Sequence, residues 1–198
     1  NRRAFSPARL GKAMEEMSAR AFRLLALAAS DGNPNPDEPG RNLTLIGVLG
    51  IRDDVRPEAP RAIRDVLGAG IQVVMITGDN AGTAAAIARE VGLLRGDEKD
   101  AVFTSDQIRK MSDEELKRRL PHMRVVARAV PSDKSRLVAA AQELGLVAGM
   151  TGDGINDAPA LKKADVGFAM GSGTEVAKEA GDIVILDNNF NSIAKAIL

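Results

Sequence analysis

MTGDGINDAPAL, residues 150–161, places Asp153, Asn156 and Asp157 within a few positions of one another, directly after the apolar run Leu146 to Met150. An apolar run that stops on Thr-Gly-Asp reads as a strand delivering hard oxygens to a turn. The glycine lets the backbone reverse and approach a ligand closely. Asp and Asn after a strand are also ordinary N-caps for the next helix. Three such groups, interrupted by Gly154 and closed by Ala158-Pro159, exceed what a cap requires. Clustered carboxylates raise each other's pKa unless a cation lies among them. Mg²⁺ suits the site, because it binds through one or two carboxylates plus phosphate oxygens and retained waters.

Working outward, a second Thr-Gly-Asp follows another apolar run, at Ile76-Thr77-Gly78-Asp79-Asn80. Thr77 can offer a hydroxyl and Gly78 a close backbone to a phosphate oxygen, while Asp79 reads equally as a helix cap. Lys134, in Pro131-Ser132-Asp133-Lys134, opens a helix, where the dipole favours anions and disfavours a cation. That placement makes sense if Lys134 points into the site and neutralises a phosphate or a carboxylate. Asp133 sits where a helix's first turn welcomes a carboxylate, so it is not read as a nucleophile.

From Asn42 onward, apolar runs alternate with amphipathic segments. Leu43 to Leu49, Gln72 to Ile76, Arg124 to Ala127, Leu146 to Met150, Val166 to Met170 and Ile183 to Leu186 read as strands. Glu58 to Leu67, Thr83 to Val91, Asp113 to Leu120, Ser132 to Leu144, Asn156 to Lys163 and Thr174 to Ala180 read as helices. This alternation predicts an α/β fold, a largely parallel sheet with helices on both faces, whose ligands bind at the carboxyl ends of the strands. Before it, Ser6 to Arg20 predicts a helix capped by Ser6 and opened by Pro7. Phe22 to Ala29 predicts a buried strand. Asp31 to Gly40, with Gly32, Pro34, Pro36 and Pro39, predicts a loop or a boundary.

Composition narrows the function classes. The 198 residues carry 27 Lys+Arg and 27 Asp+Glu, without the basic excess of a nucleic-acid-binding domain. The longest uncharged stretch, Val66 to Gly78, is well short of the roughly 20 apolar residues that cross a bilayer. No cysteine and a single histidine, His122, exclude thiolate and histidine-cluster metal sites. His122 is read as a surface residue without a role.

MTGDGINDAPAL, together with MITGDN (75–80), ARAVPSDKSRLV (127–138), KKADVGFAMGSGTEVAKEAGDIVILDNNF (162–190) and LIGVLGIRDDVRPE (45–58), resembles the cytoplasmic catalytic part of P-type cation-transporting ATPases of the haloacid dehalogenase-like superfamily. Among these it looks most like the type II pumps, the calcium pumps in particular. The resemblance implies a haloacid dehalogenase-like, Rossmann-like domain over 42–198, preceded by a remnant of the nucleotide-binding domain over 1–41. It also implies an ATPase that passes the γ-phosphoryl of ATP to an aspartate and couples that intermediate to ion transport. Carried over by motif, Asp153 would hold Mg²⁺, Asn156 and Asp157 would complete the wall of the site, Thr77 and Gly78 would hold phosphoryl oxygens, and Lys134 would stabilise the phosphoryl charge. Asp79, Arg23 and Arg128 would lie along the nucleotide path. Asp53 and Arg56 match the ends of the family's Asp-Pro-Pro-Arg hinge, but both prolines are absent from Asp53-Asp54-Val55-Arg56.

The family's phosphorylated aspartate lies in Asp-Lys-Thr-Gly-Thr, which does not occur here. The resemblance therefore implies a cytoplasmic piece of an integral membrane protein, inactive alone, whose nucleophile-bearing strand and transmembrane helices belong to other parts of the polypeptide. Asn188 to Leu198 would lead toward the stalk. Two rivals stand beside it. A soluble phosphatase would need Asp53 or Asp54 as its nucleophile, and a non-catalytic module would sense nucleotide or bind a membrane partner.

Overall fold

The computed structural model describes residues 6–30, 32, 43–96 and 99–198. The chain divides into two compact units, Asn1–Asp54 and Val55–Leu198. In the first, helix α1 (Pro7–Ala19) starts on Ser6, whose side chain accepts the Arg9 N–H, with Pro7 in the first turn. Ala21, with φ 64°, turns the chain into β1 (Arg23–Ser30). This strand pairs antiparallel with β2 (Leu43–Ile51), from Arg23 opposite Ile51 to Ser30 opposite Leu43, with a bulge at Leu27/Ala28.

That pairing differs from the sequence expectation in two ways. Leu43–Ile51 belongs to the first unit, so the division falls after Asp54 and not at residue 42. The Phe22 to Ala29 run, expected to be buried, is open along most of its length. The cause is shared. Each of the two runs finds its hydrogen-bonding partner in the other, and a two-stranded ribbon has too little surface to cover its own apolar side chains. The predicted loop at 31–40 lies, apart from Gly32, outside the described residues.

The second unit begins with α2 (Ala59–Gly68), β3 (Met75–Ile76) and α3 (Ala81–Glu90). Next come β4 (Val102–Thr104), α4 (Ser105–Lys110), α5 (Asp113–Arg119), β5 (Val125–Ala127) and α6 (Pro131–Glu143). It closes with β6 (Gly149–Gly152), α7 (Ala158–Lys163), β7 (Val166–Met170), α8 (Glu175–Ala180), β8 (Ile183–Ile185) and α9 (Phe190–Ile197). The strands form two parallel sheets, ordered β3-β5-β4 and β6-β7-β8. The predicted α/β architecture with parallel strands is present.

Side-chain alternation along β5 explains why the first sheet is covered on both faces. Val125 and Ala127 pack with Ala84, Ala88 and Ile63, while Val126 packs with Phe103, Ile108, Leu116, Met123 and Leu137. Helix α6 ties the two sheets together: Leu137 and Ala140 join the second of those clusters, and Val138 joins Met150, Ala160 and Leu161. Strand β6 runs later than predicted, with Val147 left exposed, and β3 is shorter. Gln72 lies before the strand, and its side-chain amide donates to the carbonyls of Leu120 and Met123 at 2.7 and 2.9 Å.

Candidate active site

Four segments reach the carboxyl ends of the strands of the second unit: the turns after β3, β5 and β6, and the first turn of α6. After β3, the Thr77 hydroxyl donates to the Asp79 carboxylate and accepts the Asp79 N–H, both at 3.1 Å. The helix-cap role falls to Asn80, whose side chain accepts the Thr83 N–H at 3.0 Å. Asp79 is thereby released from capping and held in a tight turn beside Thr77, with Gly78 exposed at its tip. The turn after β5 is bonded to it. Arg128 N–H donates to the Asp79 carbonyl at 2.8 Å and Ala129 N–H to the Thr77 carbonyl at 2.9 Å. Arg128 adopts φ 51°, a conformation that non-glycine residues rarely take, and its side chain is exposed.

After β6 the chain folds back on itself. Asp157, almost fully buried, accepts the N–H groups of Asp153 at 3.1 Å and Gly154 at 3.0 Å through one carboxylate oxygen. Its other oxygen takes the Lys134 ammonium in an ion pair. Gly152 makes this possible, since a Cβ there would lie 2.4 Å from the Asp157 Cβ. Burial of Asp157 works to raise its pKa, but the Lys134 ammonium and the two backbone donors outweigh it and hold the carboxyl below the ordinary range.

The carboxylate cluster is therefore resolved differently from the sequence argument. The Asp157 charge is met by Lys134 and backbone N–H groups, and needs no cation. Among the described residues no group of three or more acidic or histidine side chains is arranged to hold a metal. The Asp153 carboxylate is exposed, and no hydrogen bond or ion pair engages it among the described residues. A single open carboxylate fits Mg²⁺, which completes its shell with phosphate and water oxygens. Asn156 is exposed in the same short helical turn, Ile155–Asp157, and its side chain makes no hydrogen bond among the described residues.

Asp133 is buried and accepts the Val130 N–H at 2.9 Å, the structural part expected of it. The Arg56 guanidinium donates to the Asn188 carbonyl and lines, with Asp153, Ser172 and Phe190, an open cavity of about 250 Å³. Arg23 and Asp53 belong to the first unit, both exposed. Sequence reasoning missed Gly152 as the residue that admits Asp157, although the Thr-Gly-Asp-Gly string carried the signal.

A haloacid dehalogenase-like hydrolase family model matches residues 11–165, and a second model of the same description matches 148–197. The chain belongs to the haloacid dehalogenase-like hydrolases. Within that family it is similar to calcium-transporting ATPase 2 of Schizosaccharomyces pombe, 50% identical over 79% of this chain and 12% of the relative. It is also similar to plasma membrane calcium-transporting ATPase 1 of Mus musculus, 44% identical over 93% of this chain and 17% of the relative. The crystal structure of a zinc-transporting PIB-type ATPase in the E2.Pi state superposes with a TM-score of 0.65 at 26% identity, over 97% of this chain and 25% of that one. The chain thus spans 12–25% of the length of these P-type ATPases. No helix among the described residues is long and apolar enough to cross a membrane.

Proposed function

We propose that this chain is the phosphoryl-transfer core of an ATP-driven cation pump, with calcium as cargo, and that the phosphorylated aspartate is supplied by another part of the polypeptide. The observation that carries this reading is the arrangement after β6, where Lys134 and two backbone N–H groups neutralise Asp157 and leave the Asp153 carboxylate open. The sheet order supports it. Strands β3 and β6, which bear the two Thr-Gly-Asp turns, each hydrogen-bond one neighbour among the described residues, so each keeps an edge for a further parallel strand. A nucleophile at the carboxyl end of such a strand would stand between Thr77 and Asp153. Calcium as cargo rests on the relatives at 44–50% identity, and the pump is read as a membrane protein with this chain on the cytoplasmic side.

In this reading the γ-phosphoryl of ATP leaves ADP and joins an aspartate oxygen, and the protein's work is positioning and charge stabilisation. Asp153 holds Mg²⁺, which supplies positive charge beside the transferring phosphoryl group. Thr77 and the Gly78 backbone bind phosphoryl oxygens. Lys134, already fixed by Asp157, presents its ammonium to the developing charge without having to be ordered during the step. Asn156 completes the rim. Asp79 and Arg128, joined through the backbone, belong to the nucleotide side of the second unit, as does Arg56; in the first unit Arg23 and Asp53 are each read as nucleotide-binding residues. Loss of one such contact costs about 3 kcal/mol of transition-state stabilisation.

Incubation with radiolabelled ATP and Mg²⁺ tests the assignment of the nucleophile. The chain alone is expected to form no acid-stable, hydroxylamine-labile phosphoenzyme; label on the chain alone would overturn it. The phosphatase alternative is tested by Asp53→Asn: hydrolysis of a phosphomonoester that disappears with this change would favour it.

A further inference from the structure

We infer that the turn Gly171–Thr174, pinned by Asn188, is a backing that positions Asp153, so that residues never touching the cation set its affinity. The inference rests on the reading of Asp153 as the Mg²⁺ ligand. Asp153 is held by its backbone on both sides. Its N–H is taken by Asp157, and its carbonyl accepts the Thr174 N–H at 2.8 Å. Between these two bonds the main chain is fixed and only the side chain projects free.

The approach of the turn is close enough to demand glycine. A Cβ at Gly173 would lie 2.7 Å from the Asp153 carbonyl oxygen, 3.0 Å from its Cα and 2.9 Å from the Met170 carbonyl oxygen. All three are backbone atoms, which cannot swing aside as a side chain would. The turn itself is anchored from behind. Gly171 N–H donates to the Ile185 carbonyl at 2.9 Å, and Ser172 N–H donates to the Asn188 side-chain oxygen at 2.8 Å. Asn188 adopts φ 53°, and its carbonyl takes the Arg56 guanidinium. Asp187 stiffens the same bend by accepting the Ser192 hydroxyl at 2.7 Å and the Asn189 N–H at 3.0 Å. A continuous run of contacts therefore leads from Arg56 through Asn188 and the turn to the Asp153 main chain. Outer partners of this kind orient a ligating carboxylate before the ion arrives.

The test titrates the full chain with Mn²⁺ as the probe, reading free ion by electron paramagnetic resonance and the melting temperature of each variant. Asp153→Asn is expected to abolish binding. Gly173→Ala is expected to weaken it about tenfold. Asn188→Gly, which keeps the backbone free to take positive φ but removes the acceptor for Ser172, is expected to weaken it by a smaller factor. Gly167→Ala is the control: its Cβ would meet the Leu161 carbonyl oxygen at 2.7 Å, so the strain is comparable but not directed at Asp153. It is expected to lower the melting temperature and leave Mn²⁺ affinity within about twofold, since it touches no outer partner of the ligand. Absence of Mn²⁺ binding by the unaltered chain, or binding by Asp153→Asn equal to it, would overturn the ligand reading and this inference with it. Loss in Asp153→Asn combined with unchanged affinity in Gly173→Ala and Asn188→Gly would overturn the positioning role alone. So would a loss of affinity in Gly167→Ala as large as that in Gly173→Ala.

Discussion

Strands β1 and β5 have similar apolar character and opposite fates. Leu25 and Leu27 on β1 are 49% and 44% exposed, whereas Val125, Val126 and Ala127 on β5 are completely covered. The difference lies in what flanks each strand. Strand β5 has a hydrogen-bonded neighbour on either side and helices on both faces, while among the described residues β1 is hydrogen-bonded to β2 alone and meets one helix, α1. Apolarity in a short segment therefore reports a capacity for burial, and the elements around it decide whether that capacity is used.

The largest effect expected from this contrast comes from truncation. Leu116→Ala, at a fully covered position in the second unit, is expected to cost about 2–5 kcal/mol in urea unfolding followed by circular dichroism. Leu25→Ala on the open ribbon should cost less than about 1 kcal/mol. Equal losses would break the comparison.

Ion pairs sharpen it next. Lys134→Ala leaves the covered Asp157 carboxylate without its cation and is expected to destabilise by roughly 3 kcal/mol. Lys178→Ala, which removes a pair to an exposed Glu175, should fall within about 0.5 kcal/mol of the unaltered chain. The Asp157 pair also sets a pH dependence. Its folded-state pKa is lowered, so it contributes stability that is complete above the unfolded-state value of about 3.9 and is lost as pH falls through the folded-state value. Acid titration of Asp157→Asn should accordingly show a shallower loss of stability below about pH 4 than the unaltered chain.

Helix caps give the smallest effects. Asn80→Ala removes a 3.0 Å cap on α3 and should cost about 1 kcal/mol. Ser6→Ala removes a 3.4 Å contact on α1 and should cost less, about 0.5 kcal/mol.

The second unit was legible where local signals agreed with tertiary context. Val166–Met170 stands where the pattern put it, and the Thr-Gly-Asp turns end the strands they were read to end. Val102–Thr104 was missed because three residues are too few to show a period. The helix after it carried a signal that went unread, since Thr104 and Gln107 form a reciprocal capping box. Leu43–Ile51 was assigned to the wrong sheet because pairing partners across a Pro- and Gly-rich segment leave no trace in either strand. In the site, Lys134 stands out in the sequence by its conflict with the helix dipole, and in the structure its ammonium meets the Asp157 carboxylate. The cation argument treats the carboxylates after β6 as one cluster, whereas Asp157 folds back onto backbone N–H groups and Asp153 stays open, a distinction that periodicity does not carry.

The most direct test of the account reconstitutes the reaction. The chain is mixed with a separately produced segment bearing Asp-Lys-Thr-Gly-Thr, radiolabelled ATP and Mg²⁺, and hydroxylamine-labile label is counted on that segment. The account predicts label that requires both polypeptides and that falls by at least about a hundredfold with Asp153→Asn or Lys134→Ala. Label of equal amount with either change would contradict it.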